Sequence, residues 1–342
     1  MISIGNLQIN KLCLGDVSVS KVYLGDVEVY SSKPKPEGKY MTITVDDSAG
    51  ETTIKPKISG SLPNLNLQYR INNGDWNNFI VGTTADIHLT AGNFVQFKGN
   101  NPSGISISIA NYLYFYISDL FHLSGNVMSL IDGVGDTLVI PNEYCFYEMF
   151  VNSNVKTVSS DFLPAIEIKH ACYIEMFLNC KSLTKAPELP ATTLAESCYS
   201  RMFKGCTSLT TAPEILPATT IYESSYSDMF RGCTLLTQAP KLPATTLDFG
   251  CYSGMFRECT SLVTAPVLPA TTLDKYCYSN MFNGCTSLNY VKCRANKISA
   301  SYYSLSNWLE GVSSTGTFVK RSGVSYPSGA SGIPSGWTIQ NI

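Results

Sequence analysis

Cys198-Tyr199-Ser200-Arg201-Met202-Phe203-Lys204-Gly205-Cys206-Thr207-Ser208-Leu209-Thr210-Thr211-Ala212-Pro213-Glu214-Ile215-Leu216-Pro217-Ala218-Thr219-Thr220 is the phrase whose reading decides the fold, because the chain repeats it. The dipeptide Met-Phe marks each copy, at Met149-Phe150, Met176-Phe177, Met202-Phe203, Met229-Phe230, Met255-Phe256 and Met281-Phe282, at intervals of 27, 26, 27, 26 and 26 residues. A period this long and regular is the signature of a solenoid. One such unit cannot cover its own apolar face, so copies stack and share a continuous core.

Each unit reads as two halves. Leu194, Cys198 and Met202 fall four apart with Phe203 beside Met202, and this apolar stripe predicts a helix of about two and a half turns. Ser208 to Pro213 is short, rich in β-branched residues and closed by proline, which predicts a strand pairing in parallel with its neighbours. Pro217-Ala218-Thr219-Thr220 supplies a turn whose threonines cap the next helix.

The Cys-Thr-Ser-Leu-Thr-x-Ala-Pro and Met-Phe-x-x-Cys elements resemble the leucine-rich repeat variant typified by BspA-like bacterial surface proteins, across roughly 150 of 342 residues. That resemblance implies a binding scaffold rather than a catalyst, and a Bacteroides-type source. It says little of the ligand, since one repeat scaffold serves many partners.

Outward from the repeats the pattern changes. Residues 1–32 carry a ten-residue repeat, Ile4-Gly5-Asn6-Leu7, Leu14-Gly15-Asp16-Val17 and Leu24-Gly25-Asp26-Val27, with hairpin-turn chemistry between apolar residues. This predicts a β-meander too small to hold a core, and therefore an anchor. Its doubled Lys-Leu-Cys-Leu-Gly-Asp and Lys-Val-Tyr-Leu-Gly-Asp resemble N-terminal segments of structural and tail proteins of phages infecting Bacteroides-type hosts. An ordinary β-rich arm is the plainer alternative. Residues 33–39 form a proline-spaced linker. Residues 40–118 alternate apolar and polar in about seven short runs, among them 41–45, 65–71, 94–98 and 105–109, which predicts a β-sandwich. The solenoid is expected over 119–293. A C-terminal cap follows over 294–342, with Trp308 closing the core. The expected fold class is thus mixed α and β and multidomain: β-meander, β-sandwich, and a leucine-rich-repeat α/β solenoid with a cap.

Composition bounds function. The chain is 44% hydrophobic and 15% charged with net charge −2, without the basic footprint of a nucleic-acid binder, so no nucleic-acid partner is expected. No run of 18 apolar residues occurs and the start at Met1 has no leader pattern, so we expect no membrane insertion and no signal peptide. Ten of the 12 cysteines lie in two rows, Cys145, Cys172, Cys198, Cys251, Cys277 and Cys180, Cys206, Cys233, Cys259, Cys285. Like positions on adjacent turns lie within bridging range, so a disulfide framework is one reading. Rows of five cannot pair off, however, and Ser225 and Ser153 interrupt them, which favours buried reduced thiols. Without Cys-x-x-Cys or Cys/His clusters, no metal or other cofactor is expected.

No phosphate loop, nucleophile elbow or His-Glu-x-x-His stands in the sequence. His88, His122 and His170 are scattered and read as surface or packed residues, and Glu167, Glu175, Glu188 and Glu196 as solvated faces rather than a hydrolytic pair. The chain is expected not to be an enzyme. What varies inside the constant phrase points to recognition. The position two before the conserved proline reads Lys185, Thr211, Gln238, Thr264 and Tyr290, and alternation turns this row outward as the candidate binding surface. Glu196, Glu223, Phe249 and Lys275 form a second variable row, and Trp76 is an alternative platform in the sandwich. The expected function is non-enzymatic adhesion or host recognition by a fibre-like phage virion appendage, assembled in the host cytoplasm. Its partners would be a host-surface glycan or protein, other virion proteins through residues 1–32, and further copies of itself (a trimer if fibre-like). The alternative is a bacterial cell-surface adhesin.

Overall fold

The computed structural model describes residues 36–298 and 303–342 in full, and within residues 1–31 the backbone pairing of short strands. The linker residues 33–35 and the side chains of the expected anchor lie outside the described residues. In the first 31 residues β1 (Ser3–Ile4) pairs with β2 (Leu7–Gln8), β3 (Leu12–Leu14) with β4 (Val17–Val19), and β5 (Lys21–Leu24) with β6 (Val27–Ser31), all antiparallel. Ile4 faces Leu7, Leu14 faces Val17 and Leu24 faces Val27, so each Gly-Asn or Gly-Asp sits between paired strands as its chemistry requires. Among the described residues these are three two-stranded antiparallel ladders; how the expected meander joins one to the next lies outside the described residues.

Two sheets follow. One has the order β10 (Asn77–Asn78), β9 (Gln68–Ile71), β12 (Phe94–Lys98), β7 (Met41–Val45), β14 (Phe121–Ser124) and β15 (Val155–Val158); the other has β11 (Ile87–Leu89), β8 (Thr52–Ser59) and β13 (Tyr112–Ile117). Phe97 and Phe115 meet between them edge to face, with ring centroids 5.1 Å apart. The turn at Asn72-Asn73 uses left-handed backbone at both residues (φ 49° and 63°), the conformation Asn tolerates best after Gly. The run 105–109 is not a strand: Ile107 and Ile109 are exposed, and the segment forms only a bridge between Ser108 and Asn111. Its alternation was therefore misleading, because Ile was placed at a turn rather than on a buried face.

β14 runs antiparallel to β7 and parallel to β15, so the sandwich sheet turns into the parallel ladder of the repeats without a gap. Phe150 touches Phe115, Phe121, Phe162 and Phe177, and a single hydrophobic cluster extends from Met41 to Trp337. At the far end β16 (Tyr290–Lys292), β17 (Gly316–Lys320) and β18 (Trp337–Asn341) continue the parallel ladder. Trp308 lies buried against Tyr278, Phe282 and Phe318, and its indole N–H donates to Gly332 O at 2.8 Å, closing the core as the sequence suggests.

The expected mixed α and β solenoid is corrected by the backbone. Among the described residues the only helix is α1 (Ser129–Asp132), which lies outside the repeats. The stretch read as helix is a ribbon of successive turns. Every fourth residue is left-handed: Ala171, Glu175 and Asn179 in one rung; Ser197, Arg201 and Gly205 in the next; Ser224, Asp228 and Gly232 after that. Between them the N–H groups alternate in destination. Tyr173, Glu175 and Phe177 donate sideways to Cys198, Ser200 and Met202 O of the following rung, whereas Ile174, Met176 and Leu178 close three-residue turns onto Ala171, Tyr173 and Glu175 O. The apolar spacing of four serves this ribbon as well as a helix, since it puts Cys198-Tyr199 and Met202-Phe203 inside as pairs. What decides between them is the neighbour. Stacked rungs offer carbonyls at every second residue, and positive φ every fourth residue stops helix propagation.

Candidate functional site

The proline that closes each unit removes a donor, so the repeat strand shrinks to a single bridge. Those bridges join Lys185 to Thr211, Thr211 to Gln238, Gln238 to Thr264 and Thr264 to Tyr290, all parallel, so the five candidate residues stand on one continuous ladder. Thr184 N donates to Lys156 O and Thr210 N to Thr184 O, tying the row to β15, while Tyr290 passes it to Thr317 of β17. Lys185, Thr211, Gln238 and Thr264 are exposed and Tyr290 is half-buried. Strict alternation does not hold, because Thr184, Thr210, Thr237 and Val263 are exposed as well, giving an outward stripe two residues wide between Leu183-type and Ala186-type core positions.

The second variable row is equally regular. Glu196, Glu223, Phe249 and Lys275 are exposed, and their carbonyls accept from Ala171, Ser197, Ser224 and Gly250 N of the preceding rungs. Trp76 is engaged already. Its ring meets Tyr40 edge to face at 4.9 Å, and Arg70 and Lys98 lie 4.7 and 4.3 Å from its centroid, so the indole is a cation–π lid on the sheet edge.

Inside the repeats the cysteines hold the rungs together without covalent bonds. All 11 described cysteines are buried and free. In the second row Cys180, Cys206, Cys233, Cys259 and Cys285 donate their S–H to Phe150, Phe177, Phe203, Phe230 and Phe256 O of the preceding rung at 2.9–3.2 Å. Burial pushes the thiols up, to about 12 for Cys145, Cys180 and Cys198. Tyr173, Tyr199, Tyr226, Tyr252 and Tyr278 stack beside them at centroid spacings of 5.6–6.0 Å.

Charged groups gather where sandwich meets solenoid, and nothing in their sequence spacing announces it. Asp46, buried after β7, accepts from Lys156 Nζ at 2.8 Å, His122 Nε2 at 2.9 Å and Ser48 N at 2.9 Å, and Lys156 together with these partners holds its carboxyl well below the usual range. His122 Nδ1 contacts Thr157 Oγ1 at 2.6 Å. On the first turn ribbon, Glu148 accepts from Tyr112 and Tyr147 hydroxyls at 2.9 and 2.6 Å. Glu175 is not the solvated residue expected: its side chain is 12% exposed, bound by Arg201 Nε at 2.9 Å, and burial with the Glu148 carboxylate raises its pKa. Glu167, Glu188 and Glu196 do stand at or near the surface. Among the described residues no cluster of His, Cys, Asp and Glu could hold a metal ion, and no helix is long and apolar enough to cross a membrane. No protein-family model, curated protein or solved structure matches the chain.

Proposed function

We propose that the chain is a non-enzymatic recognition protein whose binding surface is the strand row, and that it serves as a fibre-like virion appendage of a phage infecting Bacteroides-type hosts. The observation that carries the reading is the ladder itself: five variable residues stand side by side on successive rungs, four of them exposed and Tyr290 half-buried. A surface built this way changes specificity by substitution without disturbing the core beneath, which is how solenoids recognise extended partners. The short Leu-Gly-Asp repeats ahead of the sandwich, which resemble phage structural proteins, support attachment to the particle through residues 1–32. The likeness of the repeat phrase to BspA-like surface proteins supports the second reading, a bacterial adhesin. Replacing Lys185, Thr211, Gln238, Thr264 and Tyr290 together by Ala is expected to abolish attachment of the purified protein to host cells while shifting Tm by no more than about 3 °C. Undiminished attachment removes the row from the site. Mass spectrometry of purified particles and of bacterial surface fractions decides which of the two bodies carries the protein.

A further inference from the structure

The end turn ribbons differ from the middle ones at their first left-handed position: Tyr144 (φ 58°) holds it in the first ribbon, and tyrosines hold it again in the last two. Ala171, Ser197, Ser224 and Gly250 occupy it in the middle rungs, whereas Tyr276 (φ 55°) and Tyr303 (φ 50°) occupy it at the end. A large side chain in left-handed backbone costs stability that Gly avoids, so these rings are held there against a local preference. Both are exposed, at 37% and 57%, and they stack on each other with centroids 5.6 Å apart and planes at 11°. Phe249 braces Tyr276 edge to face at 5.4 Å.

One face of Tyr303 is thus taken by Tyr276. The same residue lines a cavity of about 160 Å³ with Ile298, Ser304, Leu305, Ser306, Pro327 and Ser331. Ser304 is buried to 1% exposure, and its hydroxyl, like those of Ser159, Tyr173, Tyr226 and Tyr278, has no hydrogen-bond partner within the protein. Leaving a buried hydroxyl unpaired is costly, and native structures rarely do so without a group that completes it. Among the described residues the lining contains no charge. It combines a braced aromatic ring, three serines and aliphatic walls, which is the arrangement that holds a flat-faced ring bearing hydroxyls.

We propose that this end cavity is a binding site for one ring of a neutral carbohydrate, stacked on Tyr303 and hydrogen-bonded by Ser304. The site lies at the start of the turn ribbon and does not rest on the strand-row reading. Its test is saturation-transfer NMR and calorimetric titration of the full chain with neutral oligomers of glucose, galactose, mannose and N-acetylglucosamine. At least one probe is expected to bind, with saturation concentrated on a single ring. Tyr303→Phe keeps the stacking face and should retain binding, whereas Tyr303→Ala should weaken it about tenfold. Ser304→Ala is the sharper variant: it removes an unpaired buried hydroxyl, so Tm should hold or rise while affinity falls, a split that a purely structural role would not produce. The five-residue strand-row variant should bind the sugar as well as the parent does. Failure of every probe, or binding unaffected by Tyr303→Ala, overturns the site.

Discussion

Gly232 has φ 75°, and a Cβ placed on it would meet nothing closer than Gly205 Cα at 3.7 Å. Substitution there therefore reads backbone strain alone. In the turn ribbon Gly232→Ala should lower stability by about 1–2 kcal/mol; in a helix the same change would raise it by about 1 kcal/mol. Chemical denaturation thus separates the two by sign. The cysteines allow a second residue-scale test. With 11 thiols buried and pushed up, a native-state thiol titration should count at most one reactive group, that of Cys13, whose side chain lies outside the described residues, and close to 12 after unfolding without reductant. A count that stays near zero would mean disulfides. The ribbon itself had a sequence signal. Asn152, Asn179, Gly205, Gly232, Gly284 and Gly311 hold the last left-handed position of their rungs, and these αL-tolerant types are out of place inside a helix, whereas Glu175 and Arg201 at the middle position gave no such signal.

At the scale of elements, the sandwich and the repeats are joined by β14 and β15 and by the carboxylate of Asp46 between Lys156 and His122. Its folded pKa is depressed, chiefly by the Lys156 hydrogen bond, so its stabilising contribution is fully present above the unfolded Asp value of about 3.9 and is lost as pH falls through and below it. Asp46→Asn should cost about 1–3 kcal/mol at neutral pH and flatten the acid limb of the stability profile below about pH 4. An unchanged acid limb would mean that the joint does not depend on this carboxylate. No local pattern could reveal it, because Asp46, His122 and Lys156 are brought together only by the pairing of three strands.

At the scale of the whole molecule, each rung is stabilised mainly by its neighbours, so the ends matter. Removing residues 321–342 takes away β18 and Gly332, the acceptor of the Trp308 indole, and uncovers Phe318. Calorimetry should show a transition lowered by several degrees, and a hydrophobic dye should bind the shortened protein. The N-terminal hairpins lead to the opposite expectation. Deleting residues 1–35 should leave the thermal transition in place while lowering the mass seen by light scattering; loss of the transition would make that segment part of the sandwich.

The sequence alone determined the period, the stacking, the two cysteine rows, the outward strand row and the Trp308 closure. Each follows from a residue type recurring at a fixed interval, and stacked copies place like positions side by side whatever the local backbone does. Tertiary structure decided the rest. Whether Cys198-Tyr199 and Met202-Phe203 ride on a helix or on a ribbon of turns depends on where alternate N–H groups find acceptors, and those acceptors belong to the next rung. The Asp46 joint and the cavity beside Tyr303 likewise exist only once segments distant in sequence meet. An apolar spacing of four records which side chains are inside; the hydrogen bonds that choose the backbone lie between rungs, where no single repeat can show them.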